Sequence, residues 1–384
     1  MSASPLDLMD DYGPEKVVCV SDTRSGMRGV LVIDNTARGM GKGGTRMSTS
    51  VTVEEIARLA RTMTWKWAAV DLPFGGAKAG LVGDPQGPDK ERQLRAFARA
   101  LAHEVPSDYV FGLDMGLTER DAAIFIDELR DRGASVGLPA ELGGFPYDEL
   151  GVTGHGVAEA TDAALRHLGR DTAGVRVSLQ GFGAVGTAAA RRLNQLGARI
   201  VAVSTSEGAL TDPDGLDLDL LLKLRAEAGD RCVLEYGGDI RPLGAELRVP
   251  ADVLIPAARQ DVIDVALARE LPARLVVEGA NLPTDRAAQA VLSERGIVVV
   301  PDFIANAGGV VAAAYSMDSR GSSFPPSADV VLASVSARLR ANTITVLDAA
   351  SAGRRTTHEA ALAIAQDRVL TAMRLRGRLP QAVL

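Results

Sequence analysis

Val175-Arg176-Val177-Ser178-Leu179, then Gly181-Phe182-Gly183-Ala184-Val185-Gly186, is the stretch on which the fold turns. The first run is short, β-branched and mostly apolar, as expected of a strand buried on both faces. The second places glycine first, third and sixth and opens an alanine-rich run, Ala184–Leu196, with helical spacing. Each glycine then has a task. The first makes a tight turn, the second lets a pyrophosphate approach the backbone, and the third lets helix and strand pack closely. The helix start offers free N–H groups and a positive dipole end to phosphates. Glycines at this spacing alone say little. With a strand before and a helix after, they predict a dinucleotide site at Gly181, Phe182, Gly183, Ala184, Val185 and Gly186.

The same texture continues outward. Arg199–Ser204, Val253–Pro256, Leu275–Glu278 and Ile297–Val300 read as further buried parallel strands. Between them Leu216–Glu227, Asp261–Leu271 and Thr284–Glu294 read as crossover helices. This predicts an α/β chain with a doubly wound, Rossmann-type domain over 151–325. Upstream, residues 1–150 mix short strands (Lys16–Asp22, Gly29–Asp34, Tyr109–Phe111) with helices (Thr52–Val70, Asp89–Glu104, Glu119–Arg132) and form a first α/β domain. After Pro301 no strand is expected. Asp329–Ala349 and Thr357–Arg376 read as helices within 326–384 that pack back on the first domain.

Composition narrows the function classes. The 384 residues include 49 Asp+Glu against 42 Lys+Arg, a net charge of −7, so no nucleic-acid partner is expected. Hydrophobic residues at 46% supply core material and rule out intrinsic disorder. Two cysteines build neither a disulfide framework nor a metal cluster. No apolar run approaches the roughly 20 residues of a membrane helix, and the acidic start is unlike a secretion signal. A cytoplasmic setting is expected. His103, His155, His167 and His358 lack ligand spacing, so surface or capping roles and no metal are expected. The basic stretch Arg368–Arg378 reads as an exposed helix face or an intersubunit contact.

Six lysines leave 36 arginines among the 42 basic residues. Lysine is therefore the rare cation, yet Lys42, Lys66 and Lys78 fall close together in glycine-rich or apolar surroundings. Lysine can shed its proton when its pKa falls, and several in one cleft disfavour each other's charge. Ordinary surface lysines are the poorer explanation. Asp114, framed by Gly112 and Gly116, reads locally as a cap or turn residue. At the end of the second nucleotide-domain strand, Ser204 and Thr205 carry hydroxyls that suit either cofactor. Glu207 sits late for the usual acidic ribose contact, and the reading leans to NAD over NADP.

Together these segments resemble the glutamate/leucine/phenylalanine/valine dehydrogenase family. The most specific are Met63-Thr64-Trp65-Lys66 and Asp71-Leu72-Pro73-Phe74-Gly75-Gly76-Ala77-Lys78. Gly43–Arg46, Gly112–Gly116, Glu278–Thr284 and Asn306–Val310 support them, so the likeness runs over nearly the whole chain. The resemblance implies NAD(P)-dependent, reversible oxidative deamination of an L-2-amino acid to a 2-oxo acid and ammonia. It implies that Lys66 binds the α-carboxylate, Lys78 polarises the carbonyl and activates water, and Asp114 shuttles protons. Asn281 and Asn306 would contact the nicotinamide ribose or amide, and Thr153, locally a helix N-cap, would lie near substrate. Substrate would sit in a cleft between the domains. Lys42 points to glutamate through its side-chain carboxylate, whereas Ala313, where the glutamate branch has a serine, makes the pocket more apolar. A leucine-, valine- or phenylalanine-type substrate is the alternative, with Lys42 turned to solvent. A catalytically idle nucleotide-binding regulator ranks lower, because the lysine and aspartate set is present. A hydroxy-acid dehydrogenase would call for a His–carboxylate pair in a glycine-framed site. A homo-oligomer, hexamer or octamer, is expected.

Overall fold

The computed structural model describes residues 4–145, 149–324 and 326–379. The chain divides into two compact units, one of Met1–Pro146, Ala313–Ser327 and Ile364–Leu384, the other of Tyr147–Ala312 and Ala328–Ala363. Residue 325, where the expected second domain ends, lies outside the described residues.

In the first unit β1 (Lys16–Asp22) and β2 (Met27–Asn35) pair antiparallel. The sheet continues through β3 (Gly41–Lys42), β4 (Thr45–Ser48), β5 (Gly75–Val82) and β6 (Tyr109–Val110), with β5 antiparallel to β2 and parallel to β3 and β4. Helices α1 (Val53–Ala69), α2 (Lys90–Ala100) and α3 (Glu119–Leu129) cover it. Residues alternate along β5 as the pleat requires. Ala77, Ala79 and Leu81 join Leu94, Phe97, Phe111 and Phe125 in the main core, where Phe111 stacks on Phe125 at 4.1 Å. Gly76, Lys78 and Gly80 face the other way, on the side of α1. A Cβ at Gly80 would come within 2.7 Å of Ile56 Cδ1. Small residues therefore let α1 lie directly on the strand that carries Lys78. That composition hid β5 from sequence reading, because glycine and alanine have little strand propensity.

The second unit opens with α4 (Val152–His167), followed by β7 (Arg176–Gln180), α5 (Ala184–Gln195), β8 (Arg199–Thr205), β9 (Gly208–Thr211), α6 (Leu218–Ala228), α7 (Cys232–Tyr236) and β10 (Asp239–Arg241). Then come β11 (Val253–Pro256), α8 (Val265–Glu270), β12 (Leu275–Val277), α9 (Arg286–Glu294), β13 (Val298–Val300) and α10 (Asp302–Ala305). The sheet order is β10-β9-β8-β7-β11-β12-β13. The five strands read from sequence form its parallel part. The antiparallel pair β9 and β10 is an addition. Strand order reverses between β7 and β11, the switch point where ligands of open α/β sheets bind.

Helix α11 (Gly308–Ser319) is shared, its first part in the second unit and Ala313 onward in the first. The terminal helices α12 (Ala328–Gly353) and α13 (Thr357–Leu375) correct two expectations. Helix α12 lies with the second unit, because α4 is buried on nearly every side and needs an outer cover. Gly156 lets the two helices close up, since its Cβ would meet Leu339 at 2.5 Å. Arg340 of α12 pairs with buried Glu159 and Asp162 of α4. By length and composition α12 could cross a membrane, contrary to the sequence expectation, but these ion pairs and its buried stripe of Val331, Val335, Leu339 and Val346 mark it as a core helix. Within the first unit, Arg368 of α13 donates to the carbonyls of Ala68 and Ala69 at 2.8 and 2.9 Å and closes the end of α1. Arg378 pairs with Glu15. These two arginines are therefore structural contacts, not an exposed face.

Candidate active site

In the first unit the chemistry gathers around β3, β5 and the loop after β6. Lys78 is buried on β5, and its Nζ lies 2.9 Å from Asp114 Oδ2. Arg46 donates to the same oxygen through Nε at 2.9 Å and holds Glu55 at 2.6 Å through Nη1. Asp114 is thus the centre of a charge cluster as well as the turn residue its local sequence suggests, its carbonyl accepting from the Leu117 N–H at 3.0 Å. Burial raises its carboxyl pKa, but Lys78 and Arg46 more than offset that and hold it below the ordinary value. Burial lowers the Lys78 pKa, and the Asp114 charge opposes that only in part. Arg46 was quoted in the sequence motif without a role. Its partner Asp114 lies 68 residues away, beyond any local pattern.

Lys42 is 3% exposed. Its Nζ donates to the carbonyls of Val110 and Phe111 at 3.2 and 3.4 Å, and the Trp67 indole donates to its own carbonyl at 3.0 Å. Among the described residues no carboxylate lies within 4 Å of the amine. Burial first, then the charges of Lys78 and Arg320, brings its pKa down to about 7. The alternative in which Lys42 points to solvent is therefore corrected. Gly112 explains how the amine fits, since a Cβ there would sit 2.5 Å from Nζ. Arg320, just past the end of α11, escaped sequence reading. Lys66 lies in the last turn of α1, half-buried, and Ala313 is half-buried in α11.

In the second unit the glycine turn sits between β7 and α5. Gly181 has φ +95°, and a Cβ on it would meet Ala258, just past β11, at 2.7 Å. A Cβ at Gly186 would lie 2.0 Å from the Gly181 carbonyl oxygen. Gly183, by contrast, faces open space, the clearance a pyrophosphate needs above the first turn of α5, while Phe182 is buried beneath. The residues thus fit a dinucleotide. Ser204 and Thr205 are buried and turned inward. Ser204 Oγ accepts from the Gly181 N–H at 3.0 Å and bonds Glu246 at 3.1 Å, and Thr205 Oγ1 donates to the Asp230 carbonyl at 2.7 Å. Ser204 braces the glycine turn, and Thr205 ties the end of β8 to the Asp230 turn. The side chains presented beside it are Ser206, Asp230 and Arg225. Ser206 donates to Asp230 Oδ2 at 2.6 Å, and Arg225 pairs with the other oxygen. All three line a cavity of about 640 Å³ with Gly181, Gly183 and Arg259. Asp230 comes from the turn after α6 and not from the strand end, so a search for an acid after β8 does not find it.

Asn306 donates to Asn281 Oδ1 at 3.0 Å, which joins the loop after β12 to the loop before α11. Thr153 is not the N-cap. Gly151, at φ +63°, caps α4, and Thr153 lies one residue inside the helix. There its Oγ1 sits 3.0 Å from where a Gly309 Cβ would be. His155 bonds Ser336 at 2.8 Å in the α4–α12 contact. His358 is neither exposed nor a cap. It is mostly buried against Glu278.

Residues 143–377 match the family model described as Glutamate/Leucine/Phenylalanine/Valine dehydrogenase, and residues 14–131 match the model described as Glu/Leu/Phe/Val dehydrogenase, dimerisation domain. Glutamate dehydrogenase A2 of Halobacterium salinarum is 40% identical over 289 residues, covering 72% of this chain and 68% of that protein. Glutamate dehydrogenase of Aeropyrum pernix is 34% identical over 360 residues, 89% of this chain and 85% of its own. The structure of hetero-hexameric glutamate dehydrogenase from Thermus thermophilus, in a Leu-bound form, superposes with a TM-score of 0.82 at 32% identity, over 97% of this chain and 93% of that one.

Proposed function

The chain belongs to the glutamate/leucine/phenylalanine/valine dehydrogenase family, and from that premise we infer that it catalyses NAD(P)-dependent reversible oxidative deamination of L-glutamate. Glutamate, water and oxidised cofactor give 2-oxoglutarate, ammonium, reduced cofactor and one proton. The observation that carries the choice of substrate is Lys42, a buried ammonium whose protein partners are backbone carbonyls. Desolvating a cation without a counter-charge is costly, and a side-chain carboxylate arriving there offsets it. Arg320 adds positive potential at the same place, which compensates for the hydroxyl that Ala313 lacks.

The remaining roles follow the chemistry each group can do. Lys66 holds the α-carboxylate. Lys78 stands beside the reacting carbon, where its charge stabilises oxygen as negative charge develops, and its lowered pKa lets it pass a proton to and from the attacking water. Asp114 takes protons from the amino nitrogen, with Lys78 and Arg46 fixing its carboxylate. The dinucleotide, when bound on the glycine turn, supplies the hydride acceptor. Asp230 favours NAD, because a carboxylate beside the second strand repels a 2′-phosphate. The protein assembles as a homo-oligomer, a hexamer or octamer.

A panel of glutamate, leucine and phenylalanine with NAD and NADP, followed at the reduced-nicotinamide absorbance, tests this reading. Glutamate with NAD should give the highest kcat/KM, and Lys42→Leu should cut glutamate turnover by about a hundredfold or more while changing leucine little. A wild-type preference for leucine would overturn the substrate. Lys78→Ala should abolish turnover while NADH binding, read by fluorescence, survives. Near wild-type rates would remove Lys78 from its role.

A further inference from the structure

At the carboxyl edge of β12 and β13 three titratable side chains share a buried space. Glu278, directly after β12, is 1% exposed, and Asp302, at the start of α10, is 6% exposed. His358, in the first turn of α13, approaches them from above the sheet. One ligand atom of each lies within 4.8 Å of the others. Glu278 Oε2 accepts from His358 Nε2 at 2.9 Å and from the Asp302 N–H at 2.9 Å. Asp302 in turn accepts from the Leu282 N–H through Oδ2 at 2.8 Å and from the Phe303 N–H through Oδ1 at 2.7 Å.

Leu282 is the telling member. It is a non-glycine residue at φ +50°, in the left-handed region that disfavours a branched, exposed side chain. Such a conformation persists only where its surroundings over-determine it. Here the Asp302 carboxylate holds its N–H, and the Asp261 N–H holds its carbonyl at 2.9 Å. The neighbouring residue is Asn281, whose Oδ1 receives Asn306. The unbroken chain is His358 to Glu278, Glu278 to Asp302, Asp302 to Leu282, and so to the asparagine at the edge of the nucleotide site.

We propose that His358 is a positioning residue for the cofactor, the base of a buried hydrogen-bonded buttress that fixes the Asn281–Leu282 turn against the nicotinamide end. This rests on the reading that Asn281 and Asn306 face that end. A resident cation is the weaker use of the cluster. Both Asp302 oxygens and Glu278 Oε2 already accept N–H groups, and only Glu278 Oε1 has no hydrogen-bond partner. The charge balance also needs the imidazolium. Without it, two buried carboxylates face each other.

The groups facing His358 are Glu278, Asp302 and Glu359, the last itself drawn towards Arg355 and Arg286. Burial lowers the imidazole pKa, but the Glu278 bond and the three acids prevail and raise it above the ordinary value. A raised pKa means that the buttress is complete at lower pH and weakens as pH rises through it.

The test uses the full-length assembled protein and two ligands, NADH by its fluorescence and ADP-ribose by displacement, across pH 6 to 9. The second lacks the nicotinamide and reports only the glycine-turn half. His358→Leu should weaken NADH about tenfold at pH 6.5 and ADP-ribose less than twofold. His358→Gln, which keeps a donor but no charge, should bind NADH at every pH as the wild type does at high pH. Equal weakening of both ligands, or a pH dependence that survives in His358→Gln, would overturn the proposal. So would a zinc- or manganese-dependent rise in melting temperature confined to the wild type. Asn281→Ala keeps the premise separate. If it leaves NADH binding unchanged, the nicotinamide reading of the turn fails, and the buttress is judged by amide exchange across 279–283. Faster exchange in His358→Leu supports it, and unchanged exchange overturns it.

Discussion

Lys42 shows what a single buried charge does to both stability and recognition. Folded, its amine titrates near pH 7, against 10.5 for the free side chain. Between those values the folded protein binds fewer protons than the unfolded chain, so stability rises with pH across the window. The slope from one such group is at most about 1.4 kcal/mol per pH unit. The burial cost is full below pH 7 and gone above 10.5. Lys42→Met should therefore flatten the increase in urea stability of the wild type between pH 7.5 and 10, and an unchanged increase would place that titration elsewhere. The lysine itself was legible because lysine is scarce and sits among glycines. Its environment was not. Arg320, Gly112 and the Val110 and Phe111 carbonyls reach it from distant segments, as Arg46 reaches Asp114, and neither composition nor spacing carries such information. Ser204 and Thr205 stand at the end of β8, as the apolar run before them implies. Only the fold shows their hydroxyls turned inward and Asp230 arriving from another loop.

Among elements, legibility follows how strongly a segment declares its own period. The parallel strands of the second unit are β-branched runs, and each stood out in the sequence within a residue or two of its observed limits. Strand β5 did not, because Gly75-Gly76-Ala77-Lys78-Ala79-Gly80 is chosen for the close approach of α1 and not for strand propensity. Helix α12 was found, but its partner was misplaced. An amphipathic pattern says that a face is buried, not against what. The link it makes is Arg340 between Glu159 and Asp162, whose side chains are 1% and 0% exposed. Removing one partner of a buried pair leaves an uncompensated charge. Arg192 and Arg166 also hold these acids, so Arg340→Met should cost about 2–4 kcal/mol, read as a lower urea midpoint. A loss under about 0.5 kcal/mol would mean that the remaining arginines suffice.

At the scale of the whole molecule, each unit holds its own set of candidate functional side chains. Lys42, Lys66, Lys78, Asp114 and Arg320 belong to the first, and the glycine turn, Asp230, Asn281 and His358 to the second. A ligand protects the segment it binds. Hydrogen exchange should therefore slow around 181–186 and 225–230 with ADP-ribose, and around 41–46 and 110–116 with glutarate, a dicarboxylate that lacks the reacting amine. Protection by glutarate at the glycine turn alone would contradict this division. The division also bears on biosynthesis. The first unit is made of three stretches, and the later two, 313–327 and 364–384, leave the ribosome only after the nucleotide sheet. Although synthesis begins with the amine-bearing strands, the half that holds them waits for Arg320 and then for the Arg368 clasp on α1. A nascent chain halted near residue 312 lacks α12 over α4 as well as Arg320 and the Arg368 clasp, so it should hold neither a dinucleotide nor a dicarboxylate firmly.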